Sequence, residues 1–330
     1  MEQLRELAKS LGNPGADKLY VAARKRGIPA TRSQVKQLIG AVGAKQVFKP
    51  LPRSSGVTAT EDVDTRFQAD LIDYRTKPAI ANGVTYRYVL VLVDVFTRQC
   101  WAMAVENKTS ALVAPALLQI LERMPERPLY ISTDQGNEWK GDVDEMLKTQ
   151  GRHRLRRLRR AEPRGEIIRR TKDAGDRNAI AVVDRVIQNL KVRIAEYLES
   201  HPDQGWAQNL TKIVNMYNAT PNEAVHGAPE DVRDNEIQKF IVTQDNSKKL
   251  QANQELLEKR KQQLEAAGAF RRPIRQAGPF TRGFKASYAA VEVPQRVTGS
   301  VVHSTGPPID IKRVQIVAKE TDNQLLVGGL

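Results

Sequence analysis

The sequence is poor in cysteine, histidine and aromatic residues. Of its 330 residues one is a cysteine, Cys100, four are histidines, and aromatic residues make up 5%. A single cysteine cannot form an internal disulfide, and the four histidines are too scattered to complete a cysteine-containing zinc site, so we expect no zinc. Cys100 lies in an apolar run and is interpreted as a small buried hydrophobic residue.

Long hydrophobic runs are also missing. The sequence has no stretch of about 18 apolar residues, which is the length that a membrane-spanning helix needs. The first residues, from Met1 to Arg5, lack the apolar core of a signal peptide. We therefore expect no membrane partner and a soluble, intracellular protein.

Positive charge is what the sequence has in excess. Lys and Arg number 52 against 38 Asp and Glu, which gives a formal net charge of +14 and a pI of about 9.8. Such a balance indicates a polyanionic partner, with nucleic acid as the first candidate and a membrane surface as the second. The length suits two or three domains.

The N-terminal region, residues 1–45, is predicted to form three short helices separated by glycine and proline. Thr31 has the position of an N-cap before the third helix. The order of helix, turn and capped helix is typical of a helix-turn-helix unit, which would present Arg32 and Lys36 to DNA. A three-helix bundle with solvated basic residues would give the same pattern, so both interpretations stay open.

Four further regions follow along the chain. Residues 46–63 have the composition of an extended linker. Residues 64–235 alternate between strand and helix patterns, which predicts a mixed α/β sheet covered by helices. Residues 236–268 form a predicted connecting helix, and residues 269–330 contain short strand-like runs that favour a small β-barrel.

The connecting helix has a narrow apolar stripe. Leu250, Leu257 and Leu264 recur every seven residues. This spacing favours an exposed helix that could pair with a second protomer.

Two aspartates follow apolar strand patterns in the α/β region. Asp70 lies in the run Phe67-Gln68-Ala69-Asp70, and Asp134 comes directly after Leu129 to Thr133. Two strands that each deliver a carboxylate to one edge of a sheet can bind a pair of hard divalent cations. Such a pair activates an attacking oxygen and stabilises a leaving oxygen on phosphorus.

A third carboxylate lies on a predicted long helix. Asp184, Gln188 and Lys191 recur at positions that share one helical face. A carboxylate, an amide and a cation in line suit a metal ligand followed by groups that contact a DNA phosphate. Glu162 and Glu166 are alternative third ligands, but they lie in a charged segment without an apolar face to fix them.

Several motifs in order resemble the integrase catalytic core that retroviral and retrotransposon integrases share with those of Maverick/Polinton elements, and the chain is most similar in character to the last group. The motifs span about 64–235. They are Phe67 to Asp70, Tyr88 to Arg98, Asn107 to Thr109, Ser132 to Trp139, the helix that ends in Leu190-Lys191, and Tyr217-Asn218 followed by His226 to Glu230.

The resemblance implies a ribonuclease H-like fold with an Asp-Asp-Glu triad and two Mg²⁺ or Mn²⁺ ions. Carried over by motif, the ligands are Asp70 and Asp134, with Asp184 standing where the family has glutamate. The shorter Asp184 side chain requires a helix closer to the metals, since Mg²⁺ tolerates little error in ligand distance. The segment 152–177 makes the interval to Asp184 longer than the family's usual one, and it corresponds to a mobile loop beside the active site.

The activity that the resemblance implies is that of a DNA integrase or transposase, which trims element ends and joins them to target DNA. Gln135, Gln188 and Lys191 would lie next to the DNA. The basic insertion is a second candidate DNA surface, unless it is an ordinary solvated loop; its arginines include Arg156, Arg157, Arg159 and Arg160.

Further implications concern the assembly and its location. The resemblance implies a homo-oligomer, often a tetramer, an SH3-like DNA-binding domain at the C-terminus, and a nuclear location or other access to chromosomal DNA. Two other hypotheses stay open: a degenerate core that binds DNA without cutting it, and a scaffolding protein that assembles through the helix at 244–267.

Overall fold

A computed structural model describes residues 1–42, 56–150, 166–172, 180–273 and 288–317. The chain divides into two compact units. One comprises Gly56–Asn253, and the other comprises Met1–Ser55 together with Gln254–Leu330. Across the described ranges, no helix combines the length and the apolar character that crossing a membrane requires.

A five-stranded mixed sheet forms the centre of the unit Gly56–Asn253. Its strands are β1 (Arg66–Asp73), β4 (Tyr88–Asp94), β5 (Cys100–Val105), β6 (Tyr130–Thr133) and β7 (Ile168–Thr171), and a separate hairpin joins β2 (Ala79–Ala81) to β3 (Val84–Tyr86). The strand order is β5-β4-β1-β6-β7, in which β1 pairs antiparallel with β4 and parallel with β6, and β6 pairs parallel with β7. The prediction of a mixed α/β sheet is confirmed.

Helices cover both faces of this sheet. The described helices of the unit are α4 (Ser110–Arg123), α5 (Asp142–Thr149), α6 (Ala181–Ser200), α7 (Trp206–Asn218) and the first part of α8 (Glu236–Ala267). Helices α4 and α5 pack on one face, whose buried residues include Phe67 and Ala69. Helices α6 and α7 pack on the other face, with Ile72 and the buried Cys100. The two cores follow from the alternation of side chains along β1, which is buried on both faces.

Strand β7 corrects the interpretation of 152–177 as an inserted loop. Residues 168–171 pair with β6 along the register Tyr130 to Ile168 and Thr133 to Thr171. Ile167, just before the strand, is 1% exposed and belongs to the core under α4. The segment therefore contributes the fifth strand of the sheet. The strand was not predicted from the sequence, because arginines dominate the composition of the segment and hide the apolar pattern that is typical of a strand.

Two sets of long-range side-chain hydrogen bonds join distant segments of the same unit. Arg233 donates two hydrogen bonds to Asp64, at 2.7 Å to Oδ2 and 2.5 Å to Oδ1, and the Asp64 side chain is 1% exposed. The Asn218 amide bonds both backbone groups of Cys100: its Oδ1 accepts from the Cys100 N–H, and its Nδ2 donates to the Cys100 carbonyl, each at 2.9 Å. These contacts hold the end of α7 and the segment that follows it against the unit.

The N-terminal residues form three helices, α1 (Glu2–Ser10), α2 (Ala16–Lys25) and α3 (Arg32–Ala41), as the sequence predicts. Thr31 is confirmed as the N-cap of α3: its hydroxyl accepts from the Gln34 N–H at 3.2 Å, and the Gln34 side chain accepts from the Thr31 N–H at 2.8 Å. The three helices enclose a small core around Leu19 and Val35.

The C-terminal strands that the structure describes form two three-stranded sheets, β13-β8-β9 and β10-β11-β12. Leu264 of α8 is fully buried in their core with Phe270, and Leu257 packs against it. These two leucines therefore serve the chain's own C-terminal core, which corrects their interpretation as an exposed stripe. The strands are β8 (Phe270–Pro273), β9 (Tyr288–Glu292), β10 (Arg296–Thr298), β11 (Val301–His303), β12 (Ile309–Asp310) and β13 (Gln315–Ile316).

Candidate active site

Asp70 lies within β1, the central strand of the five. Its carboxylate shares a face of the strand with Gln68 and Ile72, because side chains alternate along a strand. This face is the one that α6 and α7 cover, since Ile72 belongs to their core. Asp70 is partly buried, and its Oδ1 accepts a hydrogen bond from the Leu71 N–H at 2.8 Å.

Asp134 follows β6 directly. Its Oδ1 accepts two hydrogen bonds, from the Gly136 N–H at 2.9 Å and from the indole Nε1–H of Trp139 at 2.8 Å. Trp139 is fully buried, so its ring is a rigid support for the carboxylate. Both bonds go to one oxygen, which orients Oδ2 for another ligand.

Asp184 lies in the first turn of α6. Its N–H donates to the Ile180 carbonyl at 3.1 Å. The beginning of this helix is bonded to β1: Gln68 Oε1 accepts from the Val182 N–H at 2.9 Å and from the Val183 N–H at 3.0 Å. The strand that carries Asp70 thus also contacts the turn that carries Asp184.

The three aspartates act on one another electrostatically. The pKa of Asp70 is raised to about 6, mainly by burial and also by the charges of Asp134, Asp184 and Glu138, while the Leu71 hydrogen bond opposes this rise. Burial also raises the pKa of Asp184, with a further contribution from Asp134. The structure therefore brings the predicted ligands to one region of the sheet.

A divalent metal fits this set by its chemistry. All three side chains offer carboxylate oxygens, which hard cations such as Mg²⁺ and Mn²⁺ prefer. The carboxylates repel one another because they carry negative charge, and a bound cation would neutralise that charge. Within the described ranges, no group of three or more His, Cys, Asp or Glu side chains is arranged closely enough to hold a metal ion.

The parallel pairing of β6 and β7 shows where one alternative third ligand, Glu166, lies along the strand. Thr133 is opposite Thr171, so Asp134 lies level with Lys172. Glu166 precedes β7 and lies about 20 Å from that level, at a rise of about 3.3 Å per residue. Glu166 therefore lies toward the opposite end of the strand from Asp134, and Glu162 lies outside the described residues.

Lys172 is a residue of this region that the sequence did not indicate. Its N–H donates to the Thr133 carbonyl at 2.7 Å, which continues the β6–β7 ladder. Its charge lowers the pKa of Asp184 against the effect of burial. The lysine adjoins the carboxylates only through long-range strand pairing, and a charged segment gives no sign of that pairing.

The predicted DNA contacts differ in their surroundings. Gln135, Gln188 and Lys191 are exposed, as a DNA contact requires. Arg169 instead forms an ion pair with Asp144 at 2.6 Å, and Arg170 lies over the Tyr130 ring with 3.7 Å between guanidinium carbon and ring centroid.

The remaining predicted contacts lie elsewhere in the chain. In the N-terminal helices Lys36 is exposed, and Arg32 lies over the Tyr20 ring at 5.2 Å. The four arginines of the basic insertion lie outside the described residues; they are Arg156, Arg157, Arg159 and Arg160.

Comparison with solved structures shows a shared fold. A chain of the simian T-cell lymphotropic virus intasome, solved in complex with PP2A regulatory subunit B56 gamma, is similar with a TM-score of 0.57 and 14% sequence identity, over 95% of this chain and 98% of that chain. The HTLV-2 integrase catalytic core domain in complex with magnesium matches 54% of this chain and 99% of that chain, with a TM-score of 0.38 and 17% identity.

Comparison of sequences gives two further similarities. An uncharacterised transposon-derived protein of Caenorhabditis elegans is 26% identical over 152 residues, which is 46% of each protein. The match thus spans less than half of that relative's length. Residues 64–158, the segment that contains Asp70 and Asp134, match the family model described as the integrase core domain.

Proposed function

We propose that this protein is a DNA integrase or transposase of a mobile element, which trims element ends and transfers them into target DNA. The observation that carries the proposal is the electrostatic interaction of Asp70 with Asp134 and Asp184 beside the mixed sheet, where burial and these charges raise the pKa of Asp70 to about 6. The match of residues 64–158 to the integrase core domain supports the same reaction class.

In this proposal the three aspartates hold two Mg²⁺ or Mn²⁺ ions. When bound, such a pair supplies Lewis-acid chemistry to a scissile DNA phosphate. Asp134 is oriented for this role by Trp139, whose indole bonds one carboxylate oxygen. Asp184 approaches from α6. In end trimming, the oxygen of water would bond to the phosphorus while the bond to the 3′-oxygen of the element strand breaks, which leaves a 3′-hydroxyl. In strand transfer, this hydroxyl would bond to a phosphorus of the target DNA while the bond to a target 3′-oxygen breaks.

Basic and amide side chains would position the DNA. Gln188 and Lys191 follow Asp184 along one exposed face of α6, and Gln135 follows Asp134, so all three adjoin the carboxylates. Lys172 adds a cation beside Asp184. These groups would hold the phosphates that flank the reacting one, since charge-assisted hydrogen bonds to phosphate are strong.

The remaining regions would serve recognition and assembly. We propose that residues 1–45 and 269–330 recognise the element ends, the latter as an SH3-like domain, and that 46–63 and 236–268 link them to the core at 64–235. The basic segment with Arg156 would bind DNA. Joining two element ends requires a homo-oligomer, which we propose is a tetramer acting in the nucleus, and we assign the chain to a Maverick/Polinton-like element.

A second candidate function is DNA binding without cleavage. It is favoured by the shorter Asp184 side chain, which stands where the integrase family has glutamate. A core of this kind would keep the basic surfaces and lose the reaction.

A strand-transfer assay on element-end DNA with Mg²⁺ or Mn²⁺ separates the two functions. We expect wild-type activity, loss of activity in Asp70→Asn and Asp184→Asn, and retained activity in the control Asp73→Asn. Asp73 is exposed and paired with Arg75 at 2.7 Å, so it tests the effect of removing a nearby charge. An inactive wild type that still binds DNA would establish the second function, and an active Asp184→Asn would remove Asp184 from the ligand set.

A further inference from the structure

Gln68 is a fully buried polar side chain on the strand that carries Asp70. Its Oε1 accepts hydrogen bonds from two successive backbone groups of α6, the N–H of Val182 and that of Val183. The N-cap residue of α6 is Ile180, which makes no side-chain capping bond. The first turn of this helix therefore obtains its cap from a neighbouring strand and not from its own sequence.

We propose that Gln68 is a positioning residue for the third metal ligand. Gln68 and Asp70 are two residues apart on one face of β1, and Asp184 directly follows Val183, to which Gln68 is bonded. One side chain thus ties the backbone beside the third ligand to the strand of the first. The inference rests on the proposed function, because it concerns the same carboxylates.

The shorter side chain of Asp184 makes this tie important. An aspartate reaches less far than a glutamate, so the position of α6 must supply the lost length. Mg²⁺ accepts ligands only near 2.0–2.1 Å, so small displacements of the helix weaken coordination. Groups that orient metal ligands without touching the metal typically change its affinity about 10–100-fold.

A purely structural role makes a different prediction. Buried glutamines commonly satisfy backbone groups, and their loss lowers stability wherever they lie. Gln238 offers a matched comparison in the same unit: it is 6% exposed, and its Nε2 donates to the Val225 carbonyl at 2.8 Å. No described contact links Gln238 with the three aspartates.

The experiment compares Gln68→Met, Gln68→Glu and the control Gln238→Met in the full-length protein. Methionine keeps the length of the side chain and removes the acceptor, whereas glutamate keeps the acceptor. Hydrogen–deuterium exchange of the peptide that contains residues 180–187 reports the start of α6. Binding of Mn²⁺ without DNA, measured by electron paramagnetic resonance of the free ion, reports the ligand set independently of activity.

We expect exchange at Val182 and Val183 to become at least tenfold faster in Gln68→Met, with about tenfold weaker Mn²⁺ binding. Gln68→Glu is expected to retain slow exchange, which also serves if Gln68→Met fails to fold. Gln238→Met is expected to keep wild-type Mn²⁺ binding despite lower stability.

Either of two results would overturn the inference: unchanged exchange in Gln68→Met, or faster exchange with wild-type Mn²⁺ affinity. A wild type that binds no Mn²⁺ would instead overturn the metal site of the proposed function, and the exchange data would still decide whether Gln68 holds α6.

Discussion

Asp70, the proposed metal ligand on β1, opposes the stability of the metal-free fold. Its carboxyl has a pKa of about 6 in the folded protein, against an ordinary value of 3.8. The folded state therefore binds the proton more tightly than the unfolded state, and stability falls as the pH rises from about 4 to about 6. Above that range the ionised carboxylate destabilises the metal-free fold.

Asp70→Asn is consequently expected to stabilise the metal-free protein. At pH 8 the gain should reach at most about 3 kcal/mol, from a shift of roughly two pKa units at 1.36 kcal/mol each. It should shrink below pH 6 and vanish near pH 4. Urea unfolding in the presence of a chelator, repeated across this range, measures it.

Asp73→Asn is expected to change folding stability in the opposite direction to Asp70→Asn. The hydrogen bonds from Arg75 hold the pKa of Asp73 below its usual value, so removal of the Asp73 carboxylate should slightly lower stability at pH values above 4.

Saturating Mg²⁺ should stabilise the wild type and leave the stability of Asp70→Asn unchanged. A wild type more stable than Asp70→Asn at pH 8 without metal would contradict the interpretation of Asp70.

The residues of the site differ in how far the sequence predicts them. Asp70 and Asp134 are proposed from the sequence because Asp70 lies within an apolar strand pattern and Asp134 directly follows one. Gln68 gives no such signal, because its two bonds are to residues more than a hundred positions away. Lys172 likewise depends on the β6–β7 register. Contacts that only the assembled sheet creates cannot be obtained from periodicity.

At the scale of elements, β7 shows the same distinction. Helix α6 is predictable because its apolar residues recur at helical spacing over five turns. Strand β7 is four residues long and contains two arginines. It is stabilised by pairing with β6 and by Arg169 contacting Asp144. Its own composition gave little evidence of a strand.

The ion pair between Arg233 and Asp64 anchors the segment between α7 and α8. Arg233→Met is expected to destabilise the protein by about 3–5 kcal/mol, because it leaves a buried carboxylate without its guanidinium. Urea unfolding at pH 7 measures this loss.

The double variant Asp64→Asn/Arg233→Met tests the cause. The double variant should lose less free energy of unfolding than Arg233→Met alone, since the charge of the Asp64 carboxylate is removed together with that of Arg233. Equal losses in the two variants would show that the Arg233 side chain stabilises by packing rather than by charge.

At the scale of the whole molecule, the net charge of +14 predicts strongly salt-dependent DNA binding. Each neutralised phosphate contributes about 0.9 to the slope of log affinity against log salt concentration. Changing Arg156, Arg157, Arg159 and Arg160 together to Gln should reduce the slope by up to about 3.6. Fluorescence anisotropy across a salt series measures it, and an unchanged slope would make this segment an ordinary solvated loop.

The bond between Asn218 and Cys100 has a consequence for the protein in concentrated solution. Strand β5 is an edge of the sheet, and the alternation of its pairing with β4 directs the backbone groups of Cys100, Ala102 and Ala104 outward. The unpaired backbone groups of an exposed edge strand can pair with strands of other chains, and this pairing leads to aggregation. The Asn218 amide hydrogen-bonds the outward N–H and carbonyl of Cys100, as a neighbouring strand would. The start of β5 therefore has no free backbone groups at Cys100 with which a strand of another chain could pair.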